Sequence, residues 1–335
     1  MDDLAIKGPK STGSQAASFV MCPTKRHGET QLQRQTEGSN IATIDKTKEI
    51  LNCVTNGGAA ALNLLTFISG NLPILGSLKE KLESASDFMT KIAVATQGII
   101  LSIDTWKKRN LVPFIGYVLE LPTALLSSGD ELWFNRGLAQ GLGQFQGIID
   151  RLQVLDNGKL AFDQKGEPLY IGGDFSKKNN KWWEGWVTSL TTTAKAIPRL
   201  TSELINNPSS FFNMSHSLFV ASSGQIVGTF LGMLGLRTFG AIIRDIFGTF
   251  VDFGLIRDKK GQDKSKNNLL NFNSLFVWGG LTWILAAVVD IYKRIPILSG
   301  GINCLTNLSL TSDRGASLLY TLENLRISRS KDNIN

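Results

Sequence analysis

Three carboxylates stand where apolar helices should not carry them. Asp104 and Asp290 close apolar segments, and Glu120 lies inside another. A carboxylate is costly to bring into an apolar helix, and in membrane proteins such a residue can handle a moving ion or proton, so Asp104, Glu120 and Asp290 form a candidate ion path. The plainer account is ion pairing, because Lys107 and Lys293 follow the two aspartates by one helical turn.

Catalytic chemistry finds little to work with. The two histidines, His27 and His216, stand beside no nucleophile and acid that would complete a triad. Cys22 and His27 lack further metal ligands at matching spacing. Gly8-Pro-Lys-Ser-Thr-Gly13 resembles a phosphate-binding loop only until Ser14, where a lysine is required. No Gly-x-Ser-x-Gly, His-Glu-x-x-His or dinucleotide fingerprint occurs. The expectation is a protein that is not an enzyme, with no catalytic residue, cofactor or metal site. Cys22, Cys53 and Cys304 are odd in number and form no CxxC, which argues against a disulfide framework.

The elements that hold the carboxylates are apolar. Uncharged runs cover Ile50 to Leu78, Leu204 to Leu236, Asn267 to Val289 and Ile295 to Ser312, while charges crowd between them. About 20 such residues span a bilayer core, and the second and third runs are the best candidates. The second also carries Gly224, Gly228 and Gly232. Four residues turn a helix by about 400°, so the three glycines make a bare strip against which another helix can pack closely. On this reading Gly228→Leu is far more damaging than Gly228→Ala. A glycine-rich core helix of a soluble protein is the competing account.

Two segments read as amphipathic. Leu78, Leu82, Ala85, Met89, Ile92, Thr96, Ile99, Ile103 and Trp106 make one apolar stripe beside Lys79, Glu80, Lys81, Glu83, Asp87 and Lys91. Further on, Arg237, Arg244, Asp245 and Asp252 share one side of a helix, opposite Phe239, Ile242, Ile246, Phe250 and Phe253, which predicts a helix lying along a surface. Pro122 is expected to kink or end its helix. Between the helical parts, Asn157-Gly158 separates two short apolar runs and predicts a small β-hairpin insert. Lys177, Lys178 and Lys181 then stand beside Trp182, Trp183 and Trp186, a composition suited to the membrane interface or to the cap of a small core.

Asp104-Thr-Trp-Lys-Lys108 matches Asp290-Ile-Tyr-Lys-Arg294, each preceded eight residues earlier by Thr96 or Thr282, and Pro113, Thr123, Leu125 and Asp130 align with Pro296, Thr306, Leu308 and Asp313. The pattern fits two repeated helical units or coincidence in apolar sequence. The resulting organisation is a disordered polar tail (1–40), helical unit 1 (41–150), the β insert with the Trp/Lys segment (151–200), helical unit 2 (201–325) and a basic tail (326–335). The predicted fold class is mainly α and membrane-associated.

The net charge is +7, and +5 of it falls in residues 215–335. Cations beside apolar helices suit anionic lipid headgroups, whereas no long basic face interleaved with aromatics points to nucleic acid. Positive clusters on both sides of Leu275 to Val289 complicate a simple crossing. The expected location is a membrane, with lipid bilayer and anionic headgroups as partners, together with self-association or other membrane proteins. Two functions follow: a non-enzymatic scaffold, anchor or membrane-shaping protein, or a transporter or channel built from two repeated units.

Overall fold

The computed structural model describes residues 31–127, 129–150, 152–154, 160–161, 174–176, 181–212, 214–257, 272–295, 300–302 and 304–332. Two compact units divide the chain, residues 1–44 and 45–335. The fold is mainly α. Its helices are α1 (Gln31–Asn71), α2 (Gly76–Lys107), α3 (Leu111–Leu126), α4 (Gly129–Gly143), α5 (Phe145–Asp150), α6 (Glu184–Asn206), α7 (Met214–Met233), α8 (Arg237–Arg257), α9 (Leu275–Lys293) and α10 (Leu305–Asp332). Helix α1 thus begins inside the segment read as a polar tail. Pro122 does not end α3, which runs on to Leu126.

Strand pairing among the described residues is limited to Gln153–Val154 against Leu160–Ala161. Asn157-Gly158 lies outside the described residues, so the expected turn chemistry has no counterpart here. The basic segment after Arg257, the first 30 residues, Lys177 and Lys178 also lie outside them.

Successive helices form a ring. Helix α2 packs on α3, α3 on α4, α4 on α7, α7 on α8, α8 on α9 and α9 on α10, and α10 touches α4. Helix α1 joins through amides: Asn63 Nδ2 donates to Thr90 Oγ1 on α2 at 2.8 Å, and on α10 Asn307 Nδ2 donates to Asn63 Oδ1 at 3.1 Å. An apolar core of Phe145, Ile148, Ile149, Leu152, Phe175, Leu200, Leu218 and Phe219 joins α5, α6 and the start of α7. Elsewhere small apolar residues such as Ala93, Val94, Ala124, Val277 and Ala286 share the interior with many polar and charged side chains.

That polarity inverts the usual arrangement. On α8, Arg244 and Asp245 are 3% and 4% exposed, whereas Phe239 and Ile246 are 54% and 44% exposed. The central charged pair of α8 therefore turns inward, while Arg237 at its start is exposed. Helix α2 does likewise in its second half, burying Thr90, Gly98, Ser102 and Thr105 while Ile99, Ile103 and Trp106 point outward. On α1 the buried side is Thr55, Asn56, Asn63, Thr66 and Ser69, and Leu51, Val54, Leu64, Leu65 and Ile68 are exposed. Leu285 and Val288 of α9 are 50% and 53% exposed beside a fully buried Asp290.

Among the described residues two helices are long and apolar enough to cross a membrane, residues Thr47–Asn71 of α1 with mean hydropathy 1.2 and Leu275–Lys293 with 1.7. Helix α7, expected among the best spanning candidates, is not one of them. Its Ser, Gly and Gln residues lower its hydropathy, and it sits between α4 and α8.

Glycines make those contacts possible. A Cβ on Gly141 would lie 2.8 Å from Ile226 Cγ1 and 3.0 Å from the Ser222 carbonyl oxygen, so α4 meets α7 almost backbone to backbone. Ser222 Oγ donates to the Gly141 carbonyl at the same crossing. On its other side α7 meets α8: a Cβ on Gly224 would collide with Phe247, and one on Gly228 with the Gly240 carbonyl oxygen. The hairpin closes through Gly235 at φ 93°, with Leu236 N donating to Leu231 O at 3.0 Å and Gly235 N to Gly232 O at 3.1 Å. This paired bonding caps the carbonyls of α7, and its left-handed residue favours glycine.

This geometry bears on alanine at position 228 as well as on leucine. A methyl group there meets backbone atoms, which cannot rotate away, so Gly228→Ala should itself lower the unfolding temperature of the purified protein, and Gly228→Leu more. Gly248→Ala serves as the control, because its nearest neighbour to a new methyl is Gln225 Nε2 at 3.8 Å. Equal stability of the Gly228 and Gly248 alanine variants would contradict the close α7–α8 contact.

Candidate functional site

The helix ring surrounds a partly open cavity of about 270 Å³. Every ring helix from α2 to α10 contributes to its wall, apart from α5 and α6, which lie outside the ring. Glu120, Asp245 and Asp313 line it together with Arg136, Arg244 and Arg314, so three carboxylates face three guanidinium groups. All six are buried to at least 96%.

Two charge clusters build this wall. In the first, Arg136 of α4 donates from Nε and Nη2 to Glu120 Oε1 of α3 at 2.9 and 2.6 Å. Its Nη1 lies 3.9 Å from Asp313 Oδ2 of α10. Arg314 Nε donates to the same Asp313 oxygen at 2.8 Å, and Arg314 Nη1 reaches Asn56 Oδ1 of α1 at 3.1 Å. The cluster thereby ties four helices. In the second, Arg244 Nη2 of α8 donates to Asp245 Oδ1 at 2.7 Å and to Asp290 Oδ2 of α9 at 3.4 Å. Asp290 also accepts from Arg294 Nη2 at 2.9 Å and pairs with Lys293 Nζ at 2.5 Å.

The candidate ion-path residues separate. Glu120 lines the cavity, whereas Asp290 stands behind Arg244 and outside the lining. Asp104 is half-exposed at the end of α2, pairing with Lys108 Nζ at 2.9 Å and accepting from Gln146 Nε2 at 2.9 Å. Its partner is one residue beyond the Lys107 expected, because i,i+4 side chains meet more directly on a helix end. The matched helix ends share this geometry, since Asp290 and Arg294 form the same i,i+4 pair. Further along, the match divides: Thr123 sits near the end of α3 and Thr306 in the first turn of α10.

The Trp/Lys group divides as well. Trp182 and Trp183 are exposed, with Lys181 Nζ 5.7 Å above the Trp183 ring. Trp186 is buried, which corrects its expected place at an interface. Its ring stands 5.1 Å from that of Trp106 and 5.4 Å from that of Phe114, and the Arg109 guanidinium covers it at 5.6 Å. The helical turn of α6 aims it at the α2–α3 corner, where these partners wait.

Sequence reading missed Arg136, Arg244, Asp245, Asp313 and Arg314 as a site. One signal was present: Arg244-Asp245 and Asp313-Arg314 are adjacent opposite charges, each isolated in uncharged helical sequence. An internally neutral pair is a means of placing a guanidinium in a dry interior. Gln97, Gln144 and Gln225 were missed too. All three line the cavity, and Oε1 of each is buried without a hydrogen-bond donor among the described residues. Neither Cys53 nor Cys304 is in a disulfide, and burial, with Glu83 alongside, pushes the Cys304 thiol up against the opposing pull of Lys79.

Removing one partner of the Glu120–Arg136 pair leaves a buried charge without compensation, at a cost of about 3–5 kcal/mol. Glu120→Met and Arg136→Met alone should therefore be strongly destabilising in thermal unfolding. The double variant should recover much of the loss. Additive losses in the double variant would show that the two side chains do not stabilise one another.

No family model, no characterised protein and no solved structure matches the chain, so its functional reading rests on this geometry.

Proposed function

We propose that this chain is a membrane-embedded helical protein whose central cavity is part of a pathway for a small solute or ion. The observation that carries the reading is the inverted polarity: paired charges line a central pocket, and large apolar side chains are exposed on the outward faces of α1, the second half of α2, α8 and α9. In water an outer surface of Leu, Ile and Phe is unfavourable, and such patches usually mark a partner or a membrane. In hydrocarbon the same surface is neutral, while charges must turn inward and pair, as they do here.

The lipid bilayer is then the principal partner, with exposed Trp182, Trp183 and Lys181 suited to the headgroup layer. The similar Asp104–Lys108 and Asp290–Arg294 helix ends favour two related helical units, one on each side of the hairpin segment near Gln153. The scaffold or anchor reading draws on the close glycine contacts, which stiffen the α4, α7 and α8 group. It gives the cavity charges only a packing role, whereas a pathway needs the cavity itself.

Two measurements test the proposal. The protein should stay with membranes through carbonate washing and leave only in detergent. Reconstituted in vesicles, it should raise the permeability to small solutes or ions, and filling the cavity with Ser317→Trp, at a residue on its wall, should remove most of that flux while the protein remains folded. Recovery in an aqueous supernatant would overturn membrane residence. Flux absent across a solute and ion panel, or unchanged in the filled variant, would return the scaffold reading.

A further inference from the structure

Arg109 stands apart from the paired charges of the ring. It takes the left-handed position of the turn that ends α2, at φ 56°, where glycine is the usual residue. The turn is otherwise regular, with Asn110 N donating to Thr105 O at 2.9 Å and Arg109 N to Trp106 O at 3.1 Å. A glycine stands opposite instead. A Cβ on Gly185 of α6 would lie 2.8 Å from Arg109 Cβ, so the bare backbone there makes room for the arginine. The guanidinium is thereby set over two tryptophans, 5.4 Å from the Trp106 ring and 5.6 Å from the Trp186 ring. Two hydrogen bonds fasten the corner: Phe175 N donates to Lys108 O, and Leu111 N to Ser189 Oγ of α6, each at 2.9 Å.

Ring contacts use none of the N–H donors of a guanidinium. Arg109 Nη1 reaches the Trp106 carbonyl oxygen at 3.5 Å in an exposed contact, and no carboxylate pairs with Arg109 among the described residues. Its Nε and Nη2 have no acceptor there and are open to the surroundings. Lys107, its neighbour, and Lys181, four residues before Gly185, are exposed and also form no ion pair among the described residues. The nearby carboxylates are engaged already: Asp104 pairs with Lys108, Asp174 accepts from Ser176 N at 3.0 Å, and Glu184 accepts from Lys181 N at 3.4 Å. Exposed Trp106, Trp182 and Trp183 flank these cations. The combination fits an anion that carries an apolar body, since the cations meet the charge and the indoles meet the body. We propose that this corner, between the end of α2 and the start of α6, binds the phosphodiester of an anionic phospholipid. Arg109 donates to its oxygens, for which a guanidinium offers paired donors, while Lys107 and Lys181 flank it and Trp106 and Trp183 lie against the glycerol and upper acyl chains. This deepens the membrane reading and rests on it for the source of the lipid.

The test is a native mass-spectrometric titration of the full chain in non-ionic detergent with dioctanoyl phosphatidylglycerol or dioctanoyl phosphatidylcholine. Phosphatidylglycerol should bind at least tenfold more tightly. A cation near a lipid surface contributes about fivefold in affinity, so Arg109→Gln should weaken phosphatidylglycerol binding at least that much. Lys195→Gln, which removes an exposed cation further along α6, should change it less than twofold. If Arg109→Gln loses its cooperative unfolding, Lys107→Gln combined with Lys181→Gln replaces it, because both side chains are exposed, and should weaken binding as much. Equal affinity for the two lipids would overturn the proposal. So would unchanged phosphatidylglycerol affinity in a folded corner variant, or an equal loss in Lys195→Gln, which would mean diffuse attraction. Displacement of the lipid by equimolar inorganic phosphate would assign the corner to soluble anions and overturn it too. Phosphatidylglycerol selectivity without flux in vesicles would remove the pathway and leave the headgroup site; flux without selectivity would remove the site and leave the pathway.

Discussion

Pairing of buried charge is the constraint on which the rest of this structure depends. Arg136, Arg244 and Arg314 are each at most 3% exposed, and a guanidinium, which keeps its charge even when buried, is strongly destabilising in a dry interior without carboxylates within reach. Those carboxylates come from different helices: Glu120 from α3, Asp290 from α9 and Asp313 from α10. The pairs therefore specify which helices are neighbours as well as neutralise charge. Asn56 extends the same network to α1 by accepting from Arg314, a residue 258 positions away in sequence.

Charge pairing alone would not bring the backbones close enough. The guanidinium of Arg244 reaches α9 from α8, and on another side α8 lies directly against α7, with Gly228 and Gly240 in mutual contact. Gly137 extends this packing to α4, since a Cβ there would lie 3.2 Å from Arg244 Cδ and 3.4 Å from the Gln225 carbonyl oxygen. Small residues at the crossings and long charged residues beside them thus serve one end. The first remove bulk between helices, and the second span the cavity that their close packing leaves.

Much of this was legible in residue order, and the part that was not has a common cause. The mainly helical class could be read from spacing and local composition, although the start of α1 was read as a tail. A helical wheel also put Arg244 and Asp245 on the opposite side of α8 from Phe239 and Ile246, as they lie here, although Arg237, assigned to the charged side, is exposed. It could not tell which side faces inward, because periodicity reports a contrast between faces and carries no information about the surrounding solvent. The same ambiguity placed Trp186 at an interface when it packs on Trp106 and Phe114. Pairings such as Arg136 with Glu120 and Arg244 with Asp290 depend on tertiary proximity and leave no trace in local spacing. The isolated Arg244-Asp245 and Asp313-Arg314 couples were the one sequence clue to them.

The central claim is that the apolar sides of these helices face hydrocarbon and the charged sides face one another. It is tested most directly by placing nitroxide labels at positions 281, 285 and 288 of α9, one at a time, in a chain freed of its three cysteines and reconstituted in vesicles. The collision of each label with dissolved oxygen is then compared with its collision with a hydrophilic nickel complex. Leu281, Leu285 and Val288 all point outward from α9. Labels there should meet oxygen freely and be shielded from nickel. Collision with the nickel complex as frequent as at an exposed polar position such as Ser77 would place this face in water and contradict the account.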